Sequence, residues 1–262
     1  MNNHHPAGAP ARPATIDAVR RRLEATVGSV DESLRAALEI DTDFVSAYLD
    51  LVHVPGREWI LDDKTRALIL LATTSAVTTL DAAGIRTAAE QAHRAGASRE
   101  EAMEAVHLAA VLGIHSFVIG VPIFAEVVEE QTGQDLIDDA PLSGERARIQ
   151  EAFLSQRGYW SPMNETLLRA YPEWFAAYTN YSSHPWVHGV LTPKVRELIY
   201  IAIDLSCTHL FDTGLRPHVE NALRYGATVE EIGEVLAVIA PIGFASVRAA
   251  APIVREIFGP DA

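Results

Sequence analysis

The stretch Lys194–Ile253, KVRELIYIAIDLSCTHLFDTGLRPHVENALRYGATVEEIGEVLAVIAPIGFASVRAAAPI, restates residues 64–123 at a constant offset of 130 residues. Lys64 meets Lys194, Arg66 meets Arg196, and Leu68-Ile69 meets Leu198-Ile199. Gly84-Ile85-Arg86 meets Gly214-Leu215-Arg216, and Gly96-Ala97 meets Gly226-Ala227. Of the 60 pairs, 22 are identical without a gap. Unrelated chains of ordinary composition would agree at about 4. Tyr48 with Tyr178 and Leu61 with Leu191 carry the match upstream. A period this long is no solenoid repeat. It marks a doubled domain.

Each copy reads as helices. From Thr192, apolar residues recur at Val195, Leu198, Ile199, Ala202, Ile203 and Leu205, near the 3.6 period. Thr192-Pro193 supplies an N-cap and a first-turn proline. A second helix ends near Gly226, and Thr228-Val229-Glu230-Glu231 opens a third with a capping box. A fourth runs to about Phe258. Copy 1 follows the same order over 62–80, 85–95, 98–112 and onward to about Gln131. Helices over 16–39 and 42–53 precede the first copy, and helices over 144–156 and 163–182 precede the second. No alternating strand pattern appears, so the expected fold class is all-α. The expected organisation is a flexible tail over 1–14, a first copy over 15–131, a linker over 132–143 and a second copy over 144–262.

Composition narrows the function. The 262 residues carry 21 Lys plus Arg against 35 Asp plus Glu, a net charge of -14. No basic excess exists to neutralise phosphates, so nucleic acid is not an expected partner. The single cysteine, Cys207, forbids an intramolecular disulfide and any four-cysteine metal site. A cytoplasmic location is expected. The apolar stretches 67–77 and 106–124 read as buried helices rather than membrane spans. Asp81 and Arg86 follow the first, and His107, Gly113, His115 and Pro122 interrupt the second.

The run Lys194-x-Arg196-Glu197-Leu198-Ile199, then Leu215-Arg216-Pro217-His218, Ala222-Leu223, Gly226-Ala227-Thr228 and Glu231-Ile232, resembles the carboxymuconolactone decarboxylase family. That family also holds alkylhydroperoxidase D and related peroxidases. The resemblance covers both copies and is nearest the γ-carboxymuconolactone decarboxylase branch. It implies a tandem duplication of a compact helical domain, and a trimer with pseudo-sixfold symmetry where single-copy relatives form hexameric rings. The peroxidase branch needs two thiols before its histidine, one to attack and one to resolve. Those positions are Phe211 and Gly214 here, and Asp81 and Gly84 in copy 1, so the dithiol mechanism is absent.

The same resemblance places the family histidine at His218 and its carboxylate at Glu197. Copy 1 holds Ala88 and Ala67 there, which implies one working site per chain. His218 is the expected proton carrier. His209 is expected beside it, with Asp204 and Asp212 available to orient an imidazole. Arg216 and Arg196 suit a carboxylate substrate. Arg86 and Arg66 repeat them in copy 1, which equally suits a structural ion pair. Cys207 reads as a substrate contact or a small buried hydrophobe. His107 and His115 read as core or pocket polar groups. His184 and His188 are a weak metal pair because Pro185 interrupts them, and His4 and His5 belong to the tail. The aromatic stretch with Trp160, Trp174 and Trp186 reads as core and subunit packing.

The expected function is a lyase that decarboxylates a small carboxylated lactone or related acid, without metal or cofactor. A non-catalytic ligand-binding or assembly subunit is the alternative. A peroxidase working through Cys207 alone is a second.

Overall fold

The computed structural model describes residues 15–54 and 58–259. The expected tail, with His4 and His5, lies outside the described residues. Among the described residues there are helices and turns and no strand, so the all-α reading holds. In chain order the helices are α1 (Ile16–Val27), α2 (Glu32–Ile40), α3 (Thr42–Val52), α4 (Asp63–Ser75), α5 (Ala82–Arg94), α6 (Arg99–Ala110) and α7 (Ile114–Thr132). The second series is α8 (Gly144–Arg157), α9 (Pro162–Ala170), α10 (Pro172–His188), α11 (Pro193–Leu205), α12 (Asp212–Arg224), α13 (Val229–Ile239) and α14 (Ala245–Phe258). The offset of 130 residues carries α4 onto α11 and α5 onto α12 end to end. The unusual left-handed turn recurs with it, at Leu80 (φ 43°) and Leu210 (φ 49°).

Local chemistry sets the boundaries. Side chains of Asp62 and Thr192 cap α4 and α11. Full capping boxes, Ser98 with Glu101 and Thr228 with Glu231, open α6 and α13. The helix expected over 16–39 is two helices, because Gly28 takes a φ of 86° and ends α1. The one expected over 163–182 breaks at Tyr171-Pro172, and α10 then continues through Pro185 to His188. Pro185 therefore does not separate His184 from His188, whose rings lie 4.9 Å apart. Its missing N–H falls in the last turn of α10, where the helix is about to end.

The chain forms two compact units. One comprises the described residues within Met1–Glu58 and Pro241–Ala262, and the other Trp59–Ala240. The sequence copies are thus not themselves the compact units. In the first unit α14 packs on α2, and Phe244 and Ala251 join the core of Val19, Leu23, Leu34, Val45 and Leu49. Phe244 stacks on Tyr48 at 3.8 Å between ring centroids. Arg248 reaches Asp31 at 2.7 Å, and Arg255 bonds Glu39 at 2.7 Å and also Glu32.

In the second unit α7 packs on α9, over a core that includes Phe153, Leu167, Leu168 and Phe175. Trp160 and Trp174 pack there, as the aromatic stretch implied. A larger core surrounds α4 and α11, which pack on each other. Residues 196–204 of α11 are all buried, so it is a central helix apolar around most of its circumference. Three charged residues in that run, Arg196, Glu197 and Asp204, are the exceptions that need explaining.

Two helical runs, Arg99–Thr132 and Val229–Phe258, are long and apolar enough to cross a membrane by length and composition. Each is broken by a tight 3₁₀ turn, at Val111–Gly113 and Ala240–Phe244. The first also carries Glu104, buried in an ion pair with Arg196.

Candidate active site

Glu197, Tyr200 and Asp204 stand at i, i+3 and i+7 on α11, so they share one face. His218 and Asn221 stand at i and i+3 on α12, which packs along it. Glu197 is fully buried. Its Oε2 lies 2.7 Å from His218 Nδ1, and its Oε1 accepts from Asn221 Nδ2 at 3.1 Å. A buried carboxylate is tolerated only with such partners. Tyr200 stacks on the His218 ring at 4.6 Å. With Nδ1 turned to Glu197, His218 presents Nε2 toward Asp204, whose Oδ2 is 3.9 Å away.

Asp204 leads to a second group. Its Oδ1 lies 3.8 Å from His115 Nε2, and His115 Nδ1 lies 2.6 Å from His209 Nε2. Phe211 stacks on His115 at 3.7 Å. The backbone N–H of Phe211 donates to the Asp204 carbonyl at 2.7 Å, which folds the turn so that His209 points inward. Gly214 makes room for this. A Cβ there would sit 2.6 Å from Asp204 Oδ2 and 2.9 Å from the Phe211 ring.

Burial shapes the electrostatics. It raises the Asp204 carboxyl to about 6, with His218 pulling the other way and Glu197 adding to the rise. Burial also lowers His115 to about 3, helped by His209 and His218. His209 is lowered by the same cause. Arg157 is buried and ringed by Phe153, Tyr159, Trp186 and Tyr200, the last of which stacks on His218. Desolvation works against its charge, but Tyr159, Tyr200, Tyr178 and Glu197 outweigh it and hold the guanidinium protonated.

Of the residues singled out in the sequence, Glu197 and His218 meet directly, and His209 joins through His115 and Asp204. Arg196 does not join them. It is buried, with Nε 2.6 Å from Glu104 Oε1 and its guanidinium over Trp186. It is an internal strut rather than a substrate clamp. The Arg216 side chain is 85% exposed and only loosely paired with Glu220 at 3.6 Å. Cys207 is exposed, not a buried hydrophobe, because the turn after α11 turns it outward. Asp212 is exposed, accepts from the Thr213 hydroxyl and bonds no imidazole among the described residues. His107 lies by His184, with ring centroids 6.0 Å apart. The sequence reading missed Asn221, Arg157 and the place of His115. Only Asn221 left a usable signal, its position one turn beyond His218.

A family model described as the carboxymuconolactone decarboxylase family matches residues 172–256, the segment that holds Glu197, Asp204, His209 and His218. A crystal structure from Burkholderia xenovorans LB400, described as a candidate gamma-carboxymuconolactone decarboxylase subunit, is 38% identical to this chain. The match covers 96% of this chain and all of that one, with a TM-score of 0.91. The chain belongs to the carboxymuconolactone decarboxylase family. A search of the curated proteins finds no match. For a carboxymuconolactone decarboxylase family member, the informative contrast is internal. Ala67, Thr74, Thr79 and Ala88 occupy the copy 1 positions of Glu197, Asp204, His209 and His218, so the acid–imidazole set exists once per chain.

Proposed function

We propose that the chain is a lyase that removes CO₂ from a small carboxylated lactone or a related acid, with His218 as the proton carrier. The observation that carries this reading is the buried Glu197–His218 pair, steadied by Asn221. Family membership supports a decarboxylase-like role, and the substrate and mechanism are our own reading. In the reaction the bond to the carboxylate carbon breaks and CO₂ departs. The electron pair stays behind as an enolate spread over the lactone carbonyl. His218 Nε2 then delivers a proton to the carbon and regains one from water. Glu197, accepting from Nδ1–H, steadies the imidazolium that gives up that proton. Arg157 lends fixed positive potential to a site about to hold an enolate. The tyrosine and phenylalanine surroundings exclude water, which favours loss of the charged carboxylate.

We also propose a trimer as the working assembly. Ile123 and Val127 on α7, and Ile253 and Ile257 on α14, are exposed at positions equivalent in the two copies. Such repeated apolar faces suit contacts with other copies of the chain.

The test is turnover of 4-carboxymuconolactone, followed by ultraviolet absorbance and CO₂ release. The proposal expects turnover by the parent and loss of about 100-fold or more in His218→Ala with helical content kept. A folded parent that turns over none of it sinks that substrate and leaves a related acid or a non-catalytic subunit.

A further inference from the structure

The mechanism above uses Glu197 and His218 and leaves three neighbouring groups without a task. His115 begins α7, Asp204 lies near the end of α11, and His209 sits in the turn that follows. One donor atom from each lies within 4.8 Å of the others. The contacts among them do not satisfy them. The Asp204 side chain is 2% exposed, and its Oδ2 has no hydrogen-bond partner among the described residues. Its Oδ1 faces His115 Nε2 at 3.8 Å, beyond hydrogen-bond reach. A buried carboxylate left so poorly partnered is costly, and a cation at this point would satisfy it. His115 and His209 meet edge to edge, their planes 15° apart and one proton shared between nitrogens 2.6 Å apart.

We propose that His115, Asp204 and His209 form a binding site for one divalent transition-metal ion of the zinc class. Two imidazole nitrogens and one carboxylate oxygen are the donors that zinc, cobalt and nickel favour over magnesium or calcium. An ion in place of the shared proton needs the two nitrogens about 3.3 Å apart. The turn carrying His209 supplies that opening, because His209 is only partly buried, bonded at its ring to His115 and otherwise resting on the Phe211 ring at 5.8 Å between centroids. The widest spacing, 4.8 Å, exceeds the roughly 3.3 Å between donors of one tetrahedral ion, so binding draws the three donors inward. The same partly exposed side of His209 gives the ion a way in. This site departs from the metal-free expectation drawn from the sequence. It stands independently of the decarboxylase reading.

The experiment uses full-length protein stripped with a chelator, carrying His4→Ala and His5→Ala so that the N-terminal histidines do not compete. Cobalt(II) is titrated and followed by its visible d–d absorption, and zinc is then titrated by calorimetry. The expected result is one ion per chain. Affinity falls about 100-fold or more in His115→Ala, Asp204→Asn and His209→Ala, at least as much as for loss of an orienting partner. It is unchanged in His107→Ala and His184→Ala, which report on the other histidine group. Asp204→Asn keeps the side-chain shape and His209 is only partly buried, so far-ultraviolet circular dichroism should find both folded. Absence of stoichiometric binding in the parent, or binding that survives His209→Ala and Asp204→Asn, overturns the proposal. Because the readout is binding, its failure does not touch the lyase assignment, and absent turnover does not touch the metal site.

Discussion

Glu197 and His218 meet at 2.7 Å across the α11–α12 pair, with the carboxylate wholly out of water and the imidazole almost so. His218 is thus the ionisable partner of Glu197, whose other oxygen accepts from Asn221. His218→Ala should destabilise the fold by about 3–5 kcal/mol, because it strands a buried carboxylate. The double variant Glu197→Ala with His218→Ala should be more stable than His218→Ala alone, by at least about 1 kcal/mol. Copy 1 already carries that alanine pair, at Ala67 and Ala88. Urea denaturation of the single and double variants decides it. A double variant weaker than the single one would show that packing, not the stranded charge, sets the cost.

Glu104 serves three donors at once. It accepts from Arg196 Nε at 2.6 Å and from the backbone N–H groups of Val190 at 2.5 Å and Leu191 at 2.8 Å. Its removal takes the acceptor from a buried guanidinium, from the buried Leu191 N–H and from the part-buried Val190 N–H. Glu104→Ala should therefore cost about 3–5 kcal/mol in chemical denaturation. A substrate-binding role for Arg196 would instead appear as a raised KM in Arg196→Lys at unchanged stability, and we expect the reverse pattern.

Acid should loosen the first compact unit. Asp31 is partly buried, which raises its carboxyl, but bonds from Ser33 and the Leu34 N–H and the Arg248 charge outweigh that and lower it below the usual 3.8. A carboxyl lowered on folding contributes stability above its unfolded value and loses it as pH falls through the folded value. Melting temperature should fall as the pH drops below about 4, and Asp31→Asn should flatten that part of the curve. An unchanged acid limb in the variant would mean that other carboxylates govern it.

Cys207 is exposed in the turn after α11. Cys207→Ser should retain turnover within about twofold, a surface-scale effect. A collapse of activity on that change, or on blocking the thiol, would restore the single-cysteine peroxidase as the better reading.

The apolar faces of α7 and α14 should be covered by other copies of the chain. Val127→Asp or Ile257→Asp should shift the sedimenting species from three chains toward one, without loss of helical content. A parent chain that sediments as a monomer at micromolar concentration would count against the trimer.

Much of this architecture was readable from local signals. Thr192-Pro193, Ser98 with Glu101 and Thr228 with Glu231 mark helix starts that depend only on neighbouring residues. Glu197 and His218 were readable because the motif around them is dense. His115 was not, since its partner His209 lies 94 residues away and no spacing rule links them. Arg157 ends a helix of otherwise ordinary surface composition, and nothing in that stretch announces a buried cation. The sequence placed a last helix in each copy, α7 and α14, but could not say which helices would meet them. That pairing is a property of tertiary packing, and it is why the compact units differ from the sequence copies.

The packing of α14 on α2, and of α7 on α9, bears on what a half-length chain would be. A polypeptide ending near residue 131 would present α1–α3 without the helix that closes their core, and α7 without the helices it covers. Two such halves would supply what each other lacks, by exchanging their last helices. Joining them through residues 133–143 replaces a meeting of molecules with an internal closure, at an effective concentration on the order of millimolar. It also frees the two halves to diverge, so that one can shed its acid and imidazole and serve only as framework.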